Sequence, residues 1–332
     1  MAEMGEFELI ARYFKRPVRK AALGVGDDCA LLQPQPGMQL AISSDMLVSG
    51  RHFFADVDPR TLGHKALAVN LSDLAACGAT PLAFTLALAL PEARTEWLEP
   101  FSQGLLALAD AHGCELIGGD TTQGPLNLCI TVFGEVPTGR ALLRSGARPG
   151  DDIYVSGTLG DASLALQCLL GKTALPDGTL ARARERLEQP TPRVALGLAL
   201  RGIATAAADV SDGLLGDLGH ILTQSQVGAT IDTGIAITLI ASCAYSTGAT
   251  GQFGLNIPEA TRLQCVLAGG DDYELVFTAP AHRRAAVVAA AEVSATPVIR
   301  LGRIEVAVGL RLVDGQGQPV ANTFASFDHF ST

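Results

Sequence analysis

Residues 60–90, RTLGHKALAVNLSDLAACGATPLAFTLALAL, decide how this chain must fold. From Arg60 to Cys77 the apolar side chains return every three or four positions, the spacing of an amphipathic helix. A Gly-Ala-Thr-Pro turn ends that pattern, and Pro81 to Leu90 follows as a nearly continuous apolar run of strand length. Outward from there, Met38–Ser43, Cys114–Ile117 and Leu126–Val136 read as strands and Glu96–His112 as a helix. Short apolar runs alternating with longer amphipathic ones indicate an α/β (α+β) protein. Residues 139–149, GRALLRSGARP, are basic, glycine-rich and aperiodic, so they read as a connector between an N-terminal domain (1–138) and a C-terminal domain (150–332). The second domain restarts with a strand at Asp152–Ser156 and helices at Leu159–Leu170, Leu180–Leu187 and Arg193–Ala206. A helix opened by Ser211–Leu215 follows, then strands at Asp272–Thr278, Pro297–Ile304 and Gly309–Val313. Residues 234–256, rich in Ser, Thr and Gly, read as a surface excursion.

The 332 residues, 48% hydrophobic and 17% charged, suffice for two cores of ordinary size. A net charge of −10 argues against a phosphate-neutralising basic surface, and so against nucleic acid as a partner. Although the mean hydropathy is +0.29, no apolar run approaches the roughly 18 residues that would span a bilayer, and no membrane association is expected. Seven cysteines without a CxxC pair read as free thiols in a reducing cytoplasm.

The chemistry-bearing feature is a series of aspartates beside glycines. Asp27 and Asp28 stand in GVGDDCALL, Asp45 in AISSDMLV, Asp73 in AVNLSDLAACGA and Asp120 in ELIGGDTT. Asp209 and Asp212 lie in ADVSDGLLGDLG, and Asp271 and Asp272 in AGGDDYELVF. Asp and Gly are ordinary turn and capping residues, so any one such site is unremarkable. Asp217, for example, reads as a solvated or capping side chain. So many carboxylates converging on one cleft would repel one another unless cations lay among them, and hard oxygen donors in such excess suit Mg²⁺ beside nucleotide phosphates. Standard phosphate motifs fail: LLGKT lacks the first P-loop glycine, where Leu166 stands, and GVGDDC carries Cys29 at the third glycine of GxGxxG. Ser211 before a helix reads as a cap rather than a nucleophile. His52 is a possible ligand, Arg144 and Arg148 are possible phosphate forks, and Trp97 reads as core.

Taken in order, MGEFELIARYF, GVGDDCALL, AISSDMLVSGRHF, KALAVNLSDLAACGATP, LIGGDTTQGPL, LLRSGARPGD, DVSDGLLGDLGHI and GGDDYELVF resemble the thiamine-monophosphate kinase family, from about residue 4 to FDHF near the C-terminus. That family belongs with aminoimidazole ribonucleotide synthetase and selenophosphate synthetase, which bind ATP without a P-loop. The resemblance implies an N-terminal α/β domain whose sheet pairs with that of a second copy in a homodimer. It implies a C-terminal α/β domain with a mixed sheet and flanking helices, and ATP with several Mg²⁺ ions between the domains. Position by position, it implies metal ligation by Asp27, Asp28, Ser43, Ser44, Asp45, Asp73, Asp120, Asp209 and Asp212. ATP contacts fall to Gly119, Asp120, Arg144 and Ser211, and thiamine-phosphate contacts to His52, Asp271, Asp272 and Phe324. Asp271 replaces a frequent Glu, and Phe324 a usual Trp.

The implied reaction is ATP-dependent phosphorylation of thiamine monophosphate to the diphosphate by direct in-line transfer. Its acceptor is already an anion, so no general base is needed. The alternatives are another ATP-using member of the superfamily, such as an aminoimidazole ribonucleotide synthetase-like enzyme, a catalytically silent nucleotide-binding module, and a divalent-metal phosphohydrolase.

Overall fold

The structure, a computed structural model, describes residues 5–241 and 257–325, and the chain divides into two compact units. The first comprises residues 1–74 and 79–141, the second residues 75–78 and 142–332.

The first unit is built on strands β1 (Met38–Val48), β2 (Thr80–Leu90), β3 (Glu115–Gln123) and β4 (Asn127–Pro137), in the order β1-β4-β2-β3. β4 runs antiparallel to both β1 and β2, whereas β3 is parallel to β2, the one pairing that needs a crossover. That crossover is α3 (Thr95–His112), which lies beside α2 (Pro59–Ala76). The two helices touch through glycines: a methyl group on Gly104 would strike the Arg60 carbonyl, and one on Gly63 the Phe101 carbonyl. Phe84, Leu88, Leu67, Leu71, Leu74, Phe101 and Leu105 are fully buried between sheet and helices. Trp97 stacks on Phe101 at 4.8 Å, so it is packing, as expected. A short helix α1 (Glu6–Leu9) running into a π-turn (Ile10–Phe14), absent from the sequence reading, opens the described chain.

The second unit holds a seven-stranded mixed sheet, β11-β10-β7-β9-β5-β8-β6. Its strands are β5 (Asp151–Ser156), β6 (Ala206–Val210), β7 (Gly228–Asp232), β8 (Glu274–Pro280), β9 (Val298–Glu305), β10 (Gly309–Val313) and β11 (Pro319–Val320). One face packs on α4 (Asp161–Leu169), α7 (Leu214–Ser225), the short α8 (Thr233–Ala236) and α9 (Glu259–Ala268) around Leu164, Leu218, Ile221, Val266 and Val276. α5 (Asp177–Glu188) packs on α4, and α6 (Val194–Leu200) on α10 (Arg284–Val293).

Several expectations are corrected here. The helix expected over Arg193–Ala206 ends at Leu200, and Ala206–Val210 is a strand buried at every position. Alanine favours helices, but tertiary burial beside β8 overrides that preference. β7, α9 and α10 were not expected. β1 and β3 run five and six residues past their expected ends, so Asp45 and Asp120 lie inside strands rather than in the turns after them. The expected excursion at 234–256 begins with helical turns to Leu239, and residues 242–256 lie outside the described residues. Among the described residues no helix is long and apolar enough to cross a membrane, and the six described cysteines form no disulfide.

Candidate functional site

In the first unit, period-two alternation along β1 divides its side chains between two faces. Ser43 and Asp45 turn towards α2, where the Ser43 hydroxyl donates to Asp73 Oδ2. The Asp45 amide donates to Asn70 Oδ1 at 3.1 Å. Asn70 is fully buried, and its own Nδ2 donates to the Ala66 carbonyl at 3.0 Å, so one helical turn of α2 fixes both Asp73 and the backbone of Asp45. Ser44 points the other way, 2.9 Å from Thr131 Oγ1.

Asp27, Asp28, Gly119 and Asp120 line a cavity of about 580 Å³, together with Phe7 and Phe14. Asp27 Oδ1 accepts the Asp28 amide at 2.9 Å, and both side chains are exposed. Asp120 is aimed by an irregularity in β3. Leu116 pairs with Phe84 and Gly118 with Thr85, leaving Ile117 as the extra residue of a bulge. Gly119 follows at φ +146, a conformation that side chains rarely adopt. Bulges re-aim what comes after them, and Asp120 is the next residue. His52 closes the turn after β1, its Nδ1 accepting the Val48 amide at 2.9 Å, which assigns the proton of the neutral ring to Nε2.

In the second unit, β6 delivers Asp209, 4% exposed, and then the half-buried turn residues Ser211 and Asp212. The Asp271 amide donates to the Ser211 carbonyl at 2.9 Å and the Tyr273 amide to the Val210 carbonyl at 2.9 Å, which stitches the DVSDG and GGDDY turns together. Asp271 and Tyr273 both take positive φ, 69° and 50°, a strain that non-glycine residues hold only where the surroundings impose it. Arg144 is exposed. Ser225, the last residue of α7, accepts the Gly146 and Ala147 amides at 3.1 Å and donates to the Arg144 carbonyl at 3.2 Å. Phe324 is half-buried against the core of this unit.

The acidic pair of the GGDDY turn does not act as a pair. Asp271 is half-exposed, whereas Asp272 is fully buried, its Oδ2 accepting the Gly160 amide at 2.8 Å while Oδ1 has no hydrogen-bond partner. Burial drives the Asp272 carboxyl well above the usual range, and no part of its side chain is open to thiamine phosphate. Next to it Glu274, also fully buried, is held by Ser156 at 2.6 Å, Arg186 at 2.8 Å and both arms of Arg193 at 2.6 Å. Asp217 is corrected too. It is 2% exposed rather than solvated, and its Oδ2 accepts the amides of Ser211 and Asp212, each at 3.1 Å. Burial raises this carboxyl to about 7. Its signal was legible: Asp217 stands three residues after Leu214 and four before Ile221, on the apolar face of α7, where a carboxylate needs a reason.

Among the described residues no three His, Cys, Asp or Glu side chains are grouped closely enough to hold a metal. Each unit contributes smaller sets, Ser43 with Asp73 and Asp27 with Asp28 in the first, the Asp209–Asp212 turn in the second. All their donors are carboxylate or hydroxyl oxygens, the chemistry that fits Mg²⁺.

Two family models match this arrangement, "AIR synthase related protein, N-terminal domain" over residues 26–136 and "AIR synthase related protein, C-terminal domain" over residues 148–314. The chain belongs to the AIR synthase related proteins. Within them its family is that of the thiamine-monophosphate kinases. It is 46% identical to Thiamine-monophosphate kinase of Salmonella typhimurium, covering 99% of each chain. The crystal structure of Thiamine-monophosphate kinase from Stenotrophomonas maltophilia superimposes with a TM-score of 0.80 at 46% identity, covering 95% of this chain and 96% of that one. A ThiL structure complexed with AMPPCP and TMP superimposes with a TM-score of 0.72 at 27% identity, covering 98% and 97%.

Proposed function

We propose that the chain transfers the terminal phosphoryl group of ATP to thiamine monophosphate, giving ADP and thiamine diphosphate. One observation carries the reading: the chain is 46% identical, end to end, to a named thiamine-monophosphate kinase. The ThiL complex with AMPPCP and TMP supports the same pair of substrates.

The barrier to such a transfer is electrostatic. Two unit charges 4 Å apart repel by about 4 kcal/mol at an effective dielectric of 20. Mg²⁺ supplies the neutralisation when bound, and its ligands in this reading are Asp27, Asp28, Ser43, Ser44, Asp45, Asp73, Asp120, Asp209 and Asp212. Gly119, Asp120, Arg144 and Ser211 hold ATP, Arg144 as a fork for phosphate oxygens. His52, Asp271 and Phe324 hold thiamine monophosphate, with Asp272 as internal support for the turn that presents Asp271. The acceptor is a phosphate oxygen already ionised near neutral pH, so the residues orient and bind rather than abstract a proton, and transfer is direct and in line.

The chain works as a homodimer in the cytoplasm. Leu40, Ile42, Met46 and Val48, 36–59% exposed along the outer face of β1, form the apolar surface that a second copy covers.

The test incubates purified protein with Mg²⁺-ATP and thiamine monophosphate and separates the thiamine species. Equimolar thiamine diphosphate and ADP are expected. ADP with free phosphate alone would make the chain a phosphohydrolase, and no turnover would make it a silent nucleotide-binding module. Asp212→Asn should lower kcat and weaken the Mg²⁺ dependence; unchanged turnover at limiting Mg²⁺ would remove Asp212 from the metal ligands.

A further inference from the structure

We propose that Asp217, buried beneath the Ser211–Asp212 turn, is a positioning residue that sets the geometry with which this turn meets ATP and its metal. The inference rests on the proposed function for what the turn binds, and on the structure for how the turn is held.

A carboxylate in the first turn of a helix ordinarily caps that helix, accepting the exposed amides of its opening residues or reaching back to the N-cap. Asp217 does neither. α7 starts at Leu214 with Gly213 at the N-cap, and no side chain caps it there. The carboxylate passes over Gly213 and takes the amides of the two residues before it. Helix stability therefore does not explain the contact, whereas the shape of the turn does. Main chain holds the turn as well, through the Asp271 amide on the Ser211 carbonyl. Asp217 thus restrains Ser211 and Asp212 together, and both amides converge on a single oxygen, which fixes the angle between the two peptide planes. Side chains projecting from these planes inherit that angle.

The test compares wild-type protein with Asp217→Ala, Asp217→Asn and Leu218→Ala by calorimetric titration with Mg²⁺-ATP, alongside thermal unfolding. Leu218 is fully buried on the same helix and touches neither amide, so its truncation controls for loss of stability alone. The proposal expects Asp217→Ala to weaken Mg²⁺-ATP binding at least tenfold while folded. Asp217→Asn, whose amide oxygen still accepts, and Leu218→Ala should stay within about threefold of wild type. Should the alanine variant not fold, Asp217→Ser, whose hydroxyl stops one bond short, takes its place under the same criteria. Binding by the folded alanine or serine variant within threefold of wild type would overturn the proposal, as would an equal loss in Leu218→Ala. The titration needs no thiamine monophosphate, so a failure of the assigned reaction would be read separately, from the turnover of the wild-type protein.

Discussion

Replacing Gly119 with alanine, beside Gly118→Ala as its matched control, isolates the feature that aims Asp120. At Gly119 a Cβ would lie 2.6 Å from the carbonyl carbon and 2.8 Å from the amide nitrogen of Leu86, and closer still to that carbonyl oxygen. A carbon–oxygen approach is comfortable from about 3.3 Å, so β2 and β3 must part locally by more than is compatible with their ladder. Loss of two ladder hydrogen bonds at about 1 kcal/mol each, with about 1–2 kcal/mol for a side chain at positive φ, gives a destabilisation of about 3–4 kcal/mol. At Gly118 the nearest atom to a new Cβ is Thr85 Cγ2 at 3.7 Å, ordinary contact, and the effect should stay within about 0.5 kcal/mol. The assay is urea unfolding followed by fluorescence of Trp97, the single tryptophan, which stands in the first unit. With an m-value of about 2 kcal/mol/M, Gly119→Ala should lower the midpoint by about 1.5–2 M and Gly118→Ala by no more than about 0.25 M. Equal midpoints for the two variants would refute the bulge-and-glycine account of β3.

Two further outcomes are expected. Asp272 is protonated in the folded chain at pH values where the unfolded carboxyl, with a pKa of about 3.9, has ionised. Folding there takes up a proton, so stability falls as pH rises. Asp272→Asn removes that dependence, and its urea midpoint should exceed the wild-type value by a margin that widens from pH 5 to pH 7; a constant margin would contradict the buried neutral acid. Ile42→Asp places a charge at the centre of the exposed apolar face of β1, and light scattering should then report a particle of 34.4 kDa in place of one of twice that mass. An unchanged mass would move the dimer contact elsewhere or remove it.

How far the sequence could be read depended on what each pattern encodes. The helix at 59–76 and the strand at 80–90 were legible because both depend on local periodicity. β6 was not, because four of its five residues are alanine or valine and only the neighbouring β8 makes AAADV a strand. Family motifs located Ser211, Asp212 and Asp271, yet no motif shows that Asp272 turns inward or that Asp271 sits at positive φ, since both arise from the stitch between two turns distant in sequence. Asp217 fell between these cases: its place on an apolar helical face was visible, but its partners were not.

β1 carries a consequence beyond its own stability. Its odd positions give Ser43 and Asp45 to α2, and its even positions give Leu40, Ile42, Met46 and Val48 to the outside, so one eleven-residue segment is written in two interleaved frames. A slip of one residue against β4 would exchange the frames, turning apolar side chains such as Ile42 towards α2 and the Asp45 carboxylate outward. Insertions and deletions within 38–48 are therefore forbidden twice over, while substitutions other than at Ser44 can drift in either frame without disturbing the other. Ser44 apart, the proposed dimer surface and the proposed metal ligands can evolve separately on one strand, provided its length never changes.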